Sequence, residues 1–431
     1  MARGAASYES KWCQIEGGPI QQLLPRGRTK LSAASRSEMS TLGIYIQVPF
    51  CASKCSFCNF NSRVERESIF DQYTRGLRRE LECWRSFFAL HAIPPDVLLH
   101  PVDSIYIGGG TPTLLGEERL GVVLRDLRDG LSLSEDVEFT LETTPGSADS
   151  NLLKALRELG VNRLSIGAQT FDDRELGAVG RLHSADETRG LVHQARRAGF
   201  QNISLDLIAG LSHQTEASFR RSLEAAVDLR PEHVSLYLFE ADEKSRLGRE
   251  VVHGGNRYHA ATVPGDDFMA DAYESGCAFL ASEGYAQYEI SNFARPAFES
   301  RHNRKYWQLK PYVGLGAGAH SFDGVRRWSN QVDVQGYLTK LGAGQPPIEE
   351  FHLLTTEEQV EEFFFLGLRQ VEGVDLNPAR ERWGASYLER WEDRIRNLSH
   401  EGWLISQGNR VCLARHAYLV SNEIFQEFVS V

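Results

Sequence analysis

Two patterns of hydrophobic and polar positions alternate along residues 42–238. Short apolar, strand-like runs are separated by longer stretches in which apolar residues recur at helical spacing, as Leu77, Leu81, Trp84 and Phe88 do. The short runs predict strands at residues 44–48, 104–107, 137–142, 163–167, 203–208 and 234–238. The longer stretches predict helices at residues 68–90, 117–127, 150–159, 185–198 and 216–229. Strands that alternate with helices predict right-handed βαβ units and a parallel sheet.

A cysteine-rich loop follows the first predicted strand. Cys51, Cys55 and Cys58 lie close together there, with Phe57 between the second and third. Cysteine thiolates hold a 4Fe-4S cluster through one sulfur per iron, so three ligands leave the fourth iron open, and Phe57 could cover the cluster from water. A zinc site and a set of buried thiols are the alternatives, but a zinc site needs a second Cys or Cys/His pair. The other cysteines are scattered singly: Cys13, Cys83, Cys277 and Cys412.

Polar residues and glycines follow the other predicted strands. Functional side chains of a parallel barrel gather at the C-terminal ends of its strands. Carboxylates there can accept hydrogen bonds from hydroxyl groups of a ligand, an arginine can bind a carboxylate with two donors, and glycines allow a ligand to approach the backbone. The candidates at these ends are Gly109, Gly110, Thr111, Glu142, Gln169, Arg181 and Asp206.

The cysteine spacing, together with the run Tyr45-Ile46-Gln47-Val48-Pro49-Phe50 before it, resembles the radical S-adenosylmethionine (radical SAM) superfamily. Within it, the chain resembles the oxygen-independent coproporphyrinogen III oxidases and the related HemW heme chaperones over about residues 42–425. The resemblance implies an α/β fold, a partial (β/α)6 radical SAM barrel, with a 4Fe-4S cluster on Cys51, Cys55 and Cys58. It also implies that the seven strand-end candidates hold S-adenosylmethionine. Tyr45 matches a family residue near the cluster, and a core aromatic of the strand is the alternative.

A second motif follows the barrel. His302-Asn303-x-x-Tyr306-Trp307 resembles a pattern associated with heme in the HemW group, in which His302 would bind the heme iron. The alternative is a structural histidine in a polar clamp between domains. The segments 285–294 and 314–321 resemble the linking region of the same proteins.

The C-terminal part of the chain forms a module of its own. Helices are predicted at residues 357–368 and 385–398, and a hairpin with a Gly408-Asn409 turn at residues 403–413. The resemblance implies a small winged-helix-like α+β domain. Residues 351–431 carry eight basic and thirteen acidic side chains, which is the wrong balance for binding phosphates, so we expect a lid or docking role. The predicted domains are a barrel at 42–290, a linking region at 291–349 and a C-terminal HemN-type domain at 350–431.

Composition narrows the class of protein. The chain has 431 residues, 42% of them hydrophobic and 24% charged, with a net charge of -11; this describes a globular protein without a general nucleic-acid surface. No apolar run is long enough to span a membrane, and the cysteine usage favours a cytoplasmic location. Residues 1–40 carry six basic and three acidic side chains. They are interpreted as a disordered extension or as an over-long start before Met39, with a transit peptide as the alternative.

The choice between the two related functions depends on position 60. The oxidases carry a further cysteine two residues after the third cluster ligand, and this chain has Phe60 there. The sequence therefore predicts a HemW-like heme chaperone that binds the cluster, S-adenosylmethionine and heme, and passes heme to client proteins. An oxygen-independent coproporphyrinogen III oxidase is the alternative, so whether the chain is an enzyme stays open. A structural iron-sulfur protein or nucleic-acid regulator is the third hypothesis. The expected partners are heme, its client proteins and an electron donor such as a flavodoxin or ferredoxin; transient membrane contact stays open.

Overall fold

The computed structural model describes residues 41–429, so the predictions for residues 1–40 lie outside the described residues. The six predicted strands are present and are neighbours in the sheet in chain order. Their bounds are β1 (Leu42–Val48), β2 (Val102–Gly109), β3 (Leu133–Thr143), β4 (Arg163–Gln169), β5 (Asn202–Ala209) and β6 (His233–Leu238). Every neighbouring pair among them is parallel. The predicted α/β partial barrel is confirmed.

The helices that connect these strands pack against the sheet, and two further helices follow β6. They are α1 (Ser68–Leu90), α2 (Gly116–Gly130), α3 (Ser150–Glu158), α4 (Asp173–Ala178), α5 (Ala185–Arg197), α6 (Glu216–Asp228), α7 (Arg246–Val252) and α8 (Asp266–Ser282). Ser184 and Glu187 form a capping box at the start of α5, so two backbone N–H groups that lack a helical partner are satisfied. Apolar side chains of the strands, such as Ile44 and Ile46, are fully buried in the core that includes Leu77 and Leu81 of α1.

The sheet is larger than the sequence pattern predicts. The following segment adds β7 (Ala286–Gln287), β8 (Asn292–Ala294), α9 (Arg301–Trp307), β9 (Tyr312–Leu315), β10 (His320–Phe322), β11 (Arg326–Asn330), α10 (Val334–Gly342) and β12 (Ile348–Leu353). Strand β8 pairs antiparallel with β6, whereas β9 pairs in parallel with β1. The result is a mixed sheet of twelve strands, in the order β12-β11-β10-β9-β1-β2-β3-β4-β5-β6-β8-β7, and this sheet does not close.

The C-terminal module has the predicted α+β composition. It comprises α11 (Thr356–Gly367), β13 (Val374–Asp375), α12 (Leu376–Trp383), α13 (Ala385–His400), β14 (Leu404–Gln407), β15 (Arg410–Leu413) and α14 (Ser421–Gln426). The predicted hairpin is present, with Gly408 at φ 62° in its turn. Phe364, Trp391 and Phe428 stack together in its centre. Over the described residues, no helix is long and apolar enough to cross a membrane.

Candidate functional site

The C-terminal ends of the barrel strands surround a cavity of about 750 Å³. The cysteine loop forms one wall, the strand ends form the floor and a second wall, and side chains of the C-terminal module form the third. This volume lies within the range of small-molecule and cofactor sites, about 300 to 1,000 Å³. Apart from Tyr45 and His302, the predicted site residues line this one cavity.

The three clustered cysteines face the cavity as free thiols. Their loop is fixed by backbone hydrogen bonds from Cys51 N to the Arg63 carbonyl at 2.9 Å and from Ser56 N to the Val179 carbonyl at 3.0 Å. Burial raises the pKa of the Cys51 thiol. Among residues 41–429, no three His, Cys, Asp or Glu side chains are arranged to hold a single metal ion. The three thiols are therefore not arranged as a mononuclear zinc site, and their number fits the three protein ligands of a cluster with one open iron.

The glycine loop after β2 packs directly against the start of the cysteine loop. Gly110 N donates to the Val48 carbonyl at 2.8 Å and Thr111 N to the Phe50 carbonyl at 2.7 Å. A Cβ on Gly110 would lie 2.4 Å from the Phe50 carbonyl oxygen. Gly109 has φ 108°, and a Cβ there would lie 2.4 Å from the Gln47 amide nitrogen. Because these glycines have no side chain, the glycine loop can pack closely against β1 and the cysteine loop. This close packing in turn determines the shape of the cavity.

Glu142, at the end of β3, is a buried carboxyl that faces the cavity. It accepts hydrogen bonds from the Tyr106 hydroxyl at 2.8 Å and from Gly109 N at 3.0 Å. Burial raises its pKa to about 7, and the nearby Asp206 carboxylate adds to the rise. Near neutral pH the carboxyl group is therefore present in both its charged and its neutral form. Its charged form can accept a hydrogen bond from a ligand.

Asp206 lies on β5 within a set of hydroxyl groups. It accepts hydrogen bonds from Ser235 at 2.8 Å and from Ser165 at 3.2 Å, and burial raises its pKa. The sequence analysis did not single out these serines. The register of the neighbouring strands would have indicated them. It puts three serines on the same side of the sheet as Asp206: Ser165, Ser204 and Ser235.

Gln169 and Arg181 form the part of the wall next to the cysteines. Gln169 adopts φ 68°, a left-handed conformation that is uncommon for a residue other than glycine and is often found at functional sites. Arg181 donates to the Gly167 carbonyl at 2.6 Å and approaches the Cys55 sulfur at 3.5 Å, which brings a cation beside a predicted cluster ligand. Its Nε is buried without a hydrogen-bond partner among the described residues.

Tyr45 lies below the floor of the cavity. Its ring stacks on Tyr106 and His302, and its hydroxyl donates to the Gln47 side chain at 2.8 Å. The side chain does not line the cavity in the described part of the chain. This geometry favours the alternative interpretation of Tyr45, an aromatic residue of the barrel interior.

His302 is completely buried at the opposite, N-terminal end of the strands. Its Nδ1 is 3.0 Å from the Ser104 hydroxyl and its Nε2 is 2.9 Å from the Tyr306 hydroxyl. Burial lowers its pKa to about 3, so the ring is neutral. Since both ring nitrogens are engaged inside the protein, neither is free for iron in this conformation. The geometry favours a structural histidine over the predicted heme ligand.

The helix that carries His302 closes this end of the barrel. Glu138 of β3 accepts hydrogen bonds from the backbone N–H groups of Arg301 and His302, at 3.0 and 3.2 Å. Lys305 is buried and pairs with Asp103 at 2.7 Å. His302 and Lys305 of the motif thus form a plug at the N-terminal end of the barrel, whereas Trp307 at the end of α9 lies next to Arg369 of the C-terminal module.

The C-terminal module contributes a wall that the sequence analysis did not identify. The cavity is lined there by Arg369, Tyr418, Leu419, Ser421 and Asn422. On the rim, Phe60 and Leu182 are 67% and 74% exposed, so two large apolar side chains border the same cavity. The only available signal for Arg369 was a charged residue two positions after a helix with an apolar C-terminal half, and such a residue is usually a solvated one.

Comparisons with known proteins agree with this geometry. The sequence model of the Radical SAM superfamily matches residues 45–226, and that of the HemN C-terminal domain matches residues 354–420. The superfamily match implies a 4Fe-4S cluster and S-adenosylmethionine. Among solved structures, coproporphyrinogen III oxidase (HemN) from Escherichia coli matches with a TM-score of 0.77 and 24% identity, over 90% of each chain. This likeness shows the fold.

Relatives with curated names are more similar in sequence. The heme chaperone HemW of Bacillus subtilis is 35% identical over 390 residues, which cover 89% of this chain and 98% of the relative. HemW of Mycobacterium tuberculosis is 33% identical over 89% of this chain and 93% of the relative. The mitochondrial radical S-adenosyl methionine domain-containing protein 1 of Bos taurus is 33% identical, over 84% of this chain and 81% of the relative. Such identity over nearly the whole length, on a shared fold, shows that the chain belongs to the HemW family of radical SAM proteins.

Proposed function

We propose that this protein is a heme chaperone that binds a 4Fe-4S cluster, S-adenosylmethionine and heme, and transfers heme to client proteins. One observation carries the proposal: a single large cavity joins the three free thiols to the polar strand ends and to the C-terminal module. The cavity is wide enough for more than one ligand group, and an exposed apolar rim suits a flat apolar macrocycle. The names of the HemW relatives support the choice of heme.

The residues of the barrel side would hold the two resident cofactors. Cys51, Cys55 and Cys58 would bind three irons of the cluster, which would supply one-electron reducing chemistry to a bound S-adenosylmethionine. Glu142 and Asp206 would accept hydrogen bonds from hydroxyl or amino groups of S-adenosylmethionine. Their burial makes such bonds stronger than in water, provided that the ligand supplies the donors. A flavodoxin-like or ferredoxin-like protein would supply the electron.

Phe60 supports a chaperone rather than an oxidase. It occupies the rim where the resemblance to the oxidases would require a cysteine, and a phenyl ring supplies no thiol for redox or acid–base chemistry. An aromatic ring on the rim instead offers a surface on which a porphyrin could stack. Coproporphyrinogen III oxidation remains the second candidate because of the structural likeness to HemN.

The decisive experiment divides one anaerobically reconstituted preparation into two parts. One part is titrated with hemin, and the other receives coproporphyrinogen III, S-adenosylmethionine and a reductant. We expect a saturable Soret band in the first and no protoporphyrinogen in the second. Formation of the divinyl product without tight heme binding would overturn the proposal in favour of the oxidase.

A further inference from the structure

Arg369 is held at the boundary between the C-terminal module and the barrel. It follows α11, and its backbone carbonyl accepts a hydrogen bond from Ile290 N at 3.1 Å. The guanidinium lies against two aromatic rings, 5.1 Å from the centre of the Trp307 ring and 5.3 Å from that of Phe425. The two rings come from opposite sides of the boundary, one from α9 and one from α14. The direction of the side chain is therefore fixed by packing rather than by an ion pair.

The charge on Arg369 has no direct counter-charge in residues 41–429. Within that range, none of the ion pairs or side-chain hydrogen bonds involves its guanidinium, and the carboxylates of Glu289 and Glu240 act on it only from a greater distance. Glu289 is the acidic residue that acts on it most strongly, but its carboxylate accepts hydrogen bonds from Ser291 N and the Asn292 side chain. Burial of the guanidinium disfavours its charged form. A partly desolvated arginine without a partner is a costly arrangement that an anionic ligand would relieve.

Arg369 also faces the cavity. It is the one cationic residue on the wall formed by the C-terminal module, among the described residues that line the cavity. The other cations, Lys54 and Arg181, lie on the barrel side, where each already donates to backbone carbonyls. The two sides of the cavity therefore differ: the barrel side carries carboxylates and cations that already make hydrogen bonds, and the side of the C-terminal module carries an arginine that forms no ion pair within the described residues.

We infer that Arg369 binds a carboxylate of the tetrapyrrole that occupies the cavity, so that the C-terminal module recognises the propionate side of the ligand. This inference rests on the proposed function, because it takes the ligand to be a carboxylated porphyrin. An arginine fork matches a carboxylate with two parallel N–H donors, and aromatic rings that contact the guanidinium supply no acceptor oxygen that would compete with such a ligand. Arg369 is thus a specificity residue that distinguishes carboxylated from uncharged macrocycles.

The test uses the full-length reconstituted protein and three variants, R369Q, R369K and R382Q. Arg382 is the matched control, because it stacks on Trp383 at 4.7 Å in the same module but does not line the cavity. Hemin and its dimethyl ester, which lacks both carboxylates, are titrated by Soret absorbance. We expect R369Q to weaken hemin binding by about tenfold or more, since one charge-assisted hydrogen bond contributes about 1.5 to 3 kcal/mol. R369K should recover part of the affinity, and R382Q should match the wild type.

The ester separates a binding role from a structural one. Its affinity should be the same for R369Q and the wild type, whereas an equal loss for both ligands would mean that Arg369 only supports the fold. Hemin affinity of R369Q within twofold of the wild type would also overturn the inference.

A further titration with metal-free coproporphyrin III, followed by fluorescence, distinguishes the two proposals. If the wild type binds this porphyrin in an Arg369-dependent manner but does not bind hemin, the chaperone function fails and the role of Arg369 stands. If it binds neither porphyrin, both are overturned.

Discussion

The two ends of the barrel differ in what their buried polar groups contact. At the C-terminal end, Glu142 and Asp206 accept hydrogen bonds from the protein and still face an open cavity. At the N-terminal end, His302 of α9 forms hydrogen bonds with hydroxyl groups of the protein. Glu138 accepts hydrogen bonds from two backbone N–H groups at the start of the same helix. Both ends bury ionisable side chains in one polar interior. Buried polar groups at the two ends therefore differ in availability: those at the closed end are satisfied within the protein, whereas those that also line the cavity can still contact a ligand.

The largest expected effect is at the cavity end. Cys55→Ala should abolish the 4Fe-4S absorption and its paramagnetic signal after anaerobic reconstitution, because a cluster held by two cysteines lacks one of its three protein ligands. Cys83→Ala is the control, since Cys83 lies on α1 and does not line the cavity. Loss of the signal in the Cys83 variant as well would contradict the ligand assignment.

At the closed end, the main effect should be on stability. His302→Ala should lower the free energy of unfolding by about 3 kcal/mol, because it leaves a cavity and removes the partner of the Ser104 and Tyr306 hydroxyls. Denaturant titration measures the loss, and His352→Ala, at an exposed position of β12, is the control. Below the unfolding transition, the heme titration of His302→Ala should equal that of the wild type. A weaker Soret band in a stably folded variant would restore His302 as a heme ligand.

A pH-dependent effect should distinguish Glu142 from the groups at the closed end. Its pKa in the folded protein is about 7, above the ordinary value of 4.5. The folded protein therefore binds this proton more tightly than the unfolded chain does, and the associated stability is complete below about pH 4.5 and is lost as the pH rises to about 7.

Glu142→Gln removes this titration. The difference in unfolding free energy between the variant and the wild type should therefore shift in favour of the variant by about 2 kcal/mol between pH 5 and pH 8. Other carboxyls with raised pKa, such as Glu80, are present in both proteins and cancel. Parallel pH curves for the two proteins would show that Glu142 stays ionised throughout.

Tyr45→Phe should have the smallest effect. The change removes one hydrogen bond to Gln47, and we expect a loss of about 1 kcal/mol in stability with no change in the cluster signal. The measurements are denaturant titration and the paramagnetic spectrum after reconstitution. A large loss of cluster with unchanged stability would instead support a role for Tyr45 beside the cofactors.

The barrel could be predicted from the sequence because its signals are local. Each strand from β1 to β6 contains a short apolar or alternating run, and the predicted helices carry a helical periodicity and often a cap, as Ser184 and Glu187 do for α5. Strands β7–β12 carried no comparable signal, because they have only two to six residues each. Their pairing depends on edges of the sheet that exist only after the barrel has formed.

The site could be predicted in part for the same reason. The cysteines and the strand-end residues follow recognisable strands, so the topology brings them together. His302 carried an equally clear motif, but nothing local indicates which end of the barrel its helix covers. The position of Arg369 beside the cavity could not be predicted, because no motif includes this residue. Its side chain is held by Trp307 and Phe425, which are far from it in the sequence.

The plug formed by α9 also has a consequence for the order of folding. Ser104 and His302 are 198 positions apart in the chain, and β1 completes its pairing only with β9. Contacts so distant in sequence form late, and the N-terminal part of a chain leaves the ribosome first. The cysteine loop therefore exists for most of the synthesis on a half-built sheet whose floor is still open. We therefore expect the N-terminal end of the barrel, on the side opposite the thiols, to close last, when α9 and β9 pack against β2 and β1.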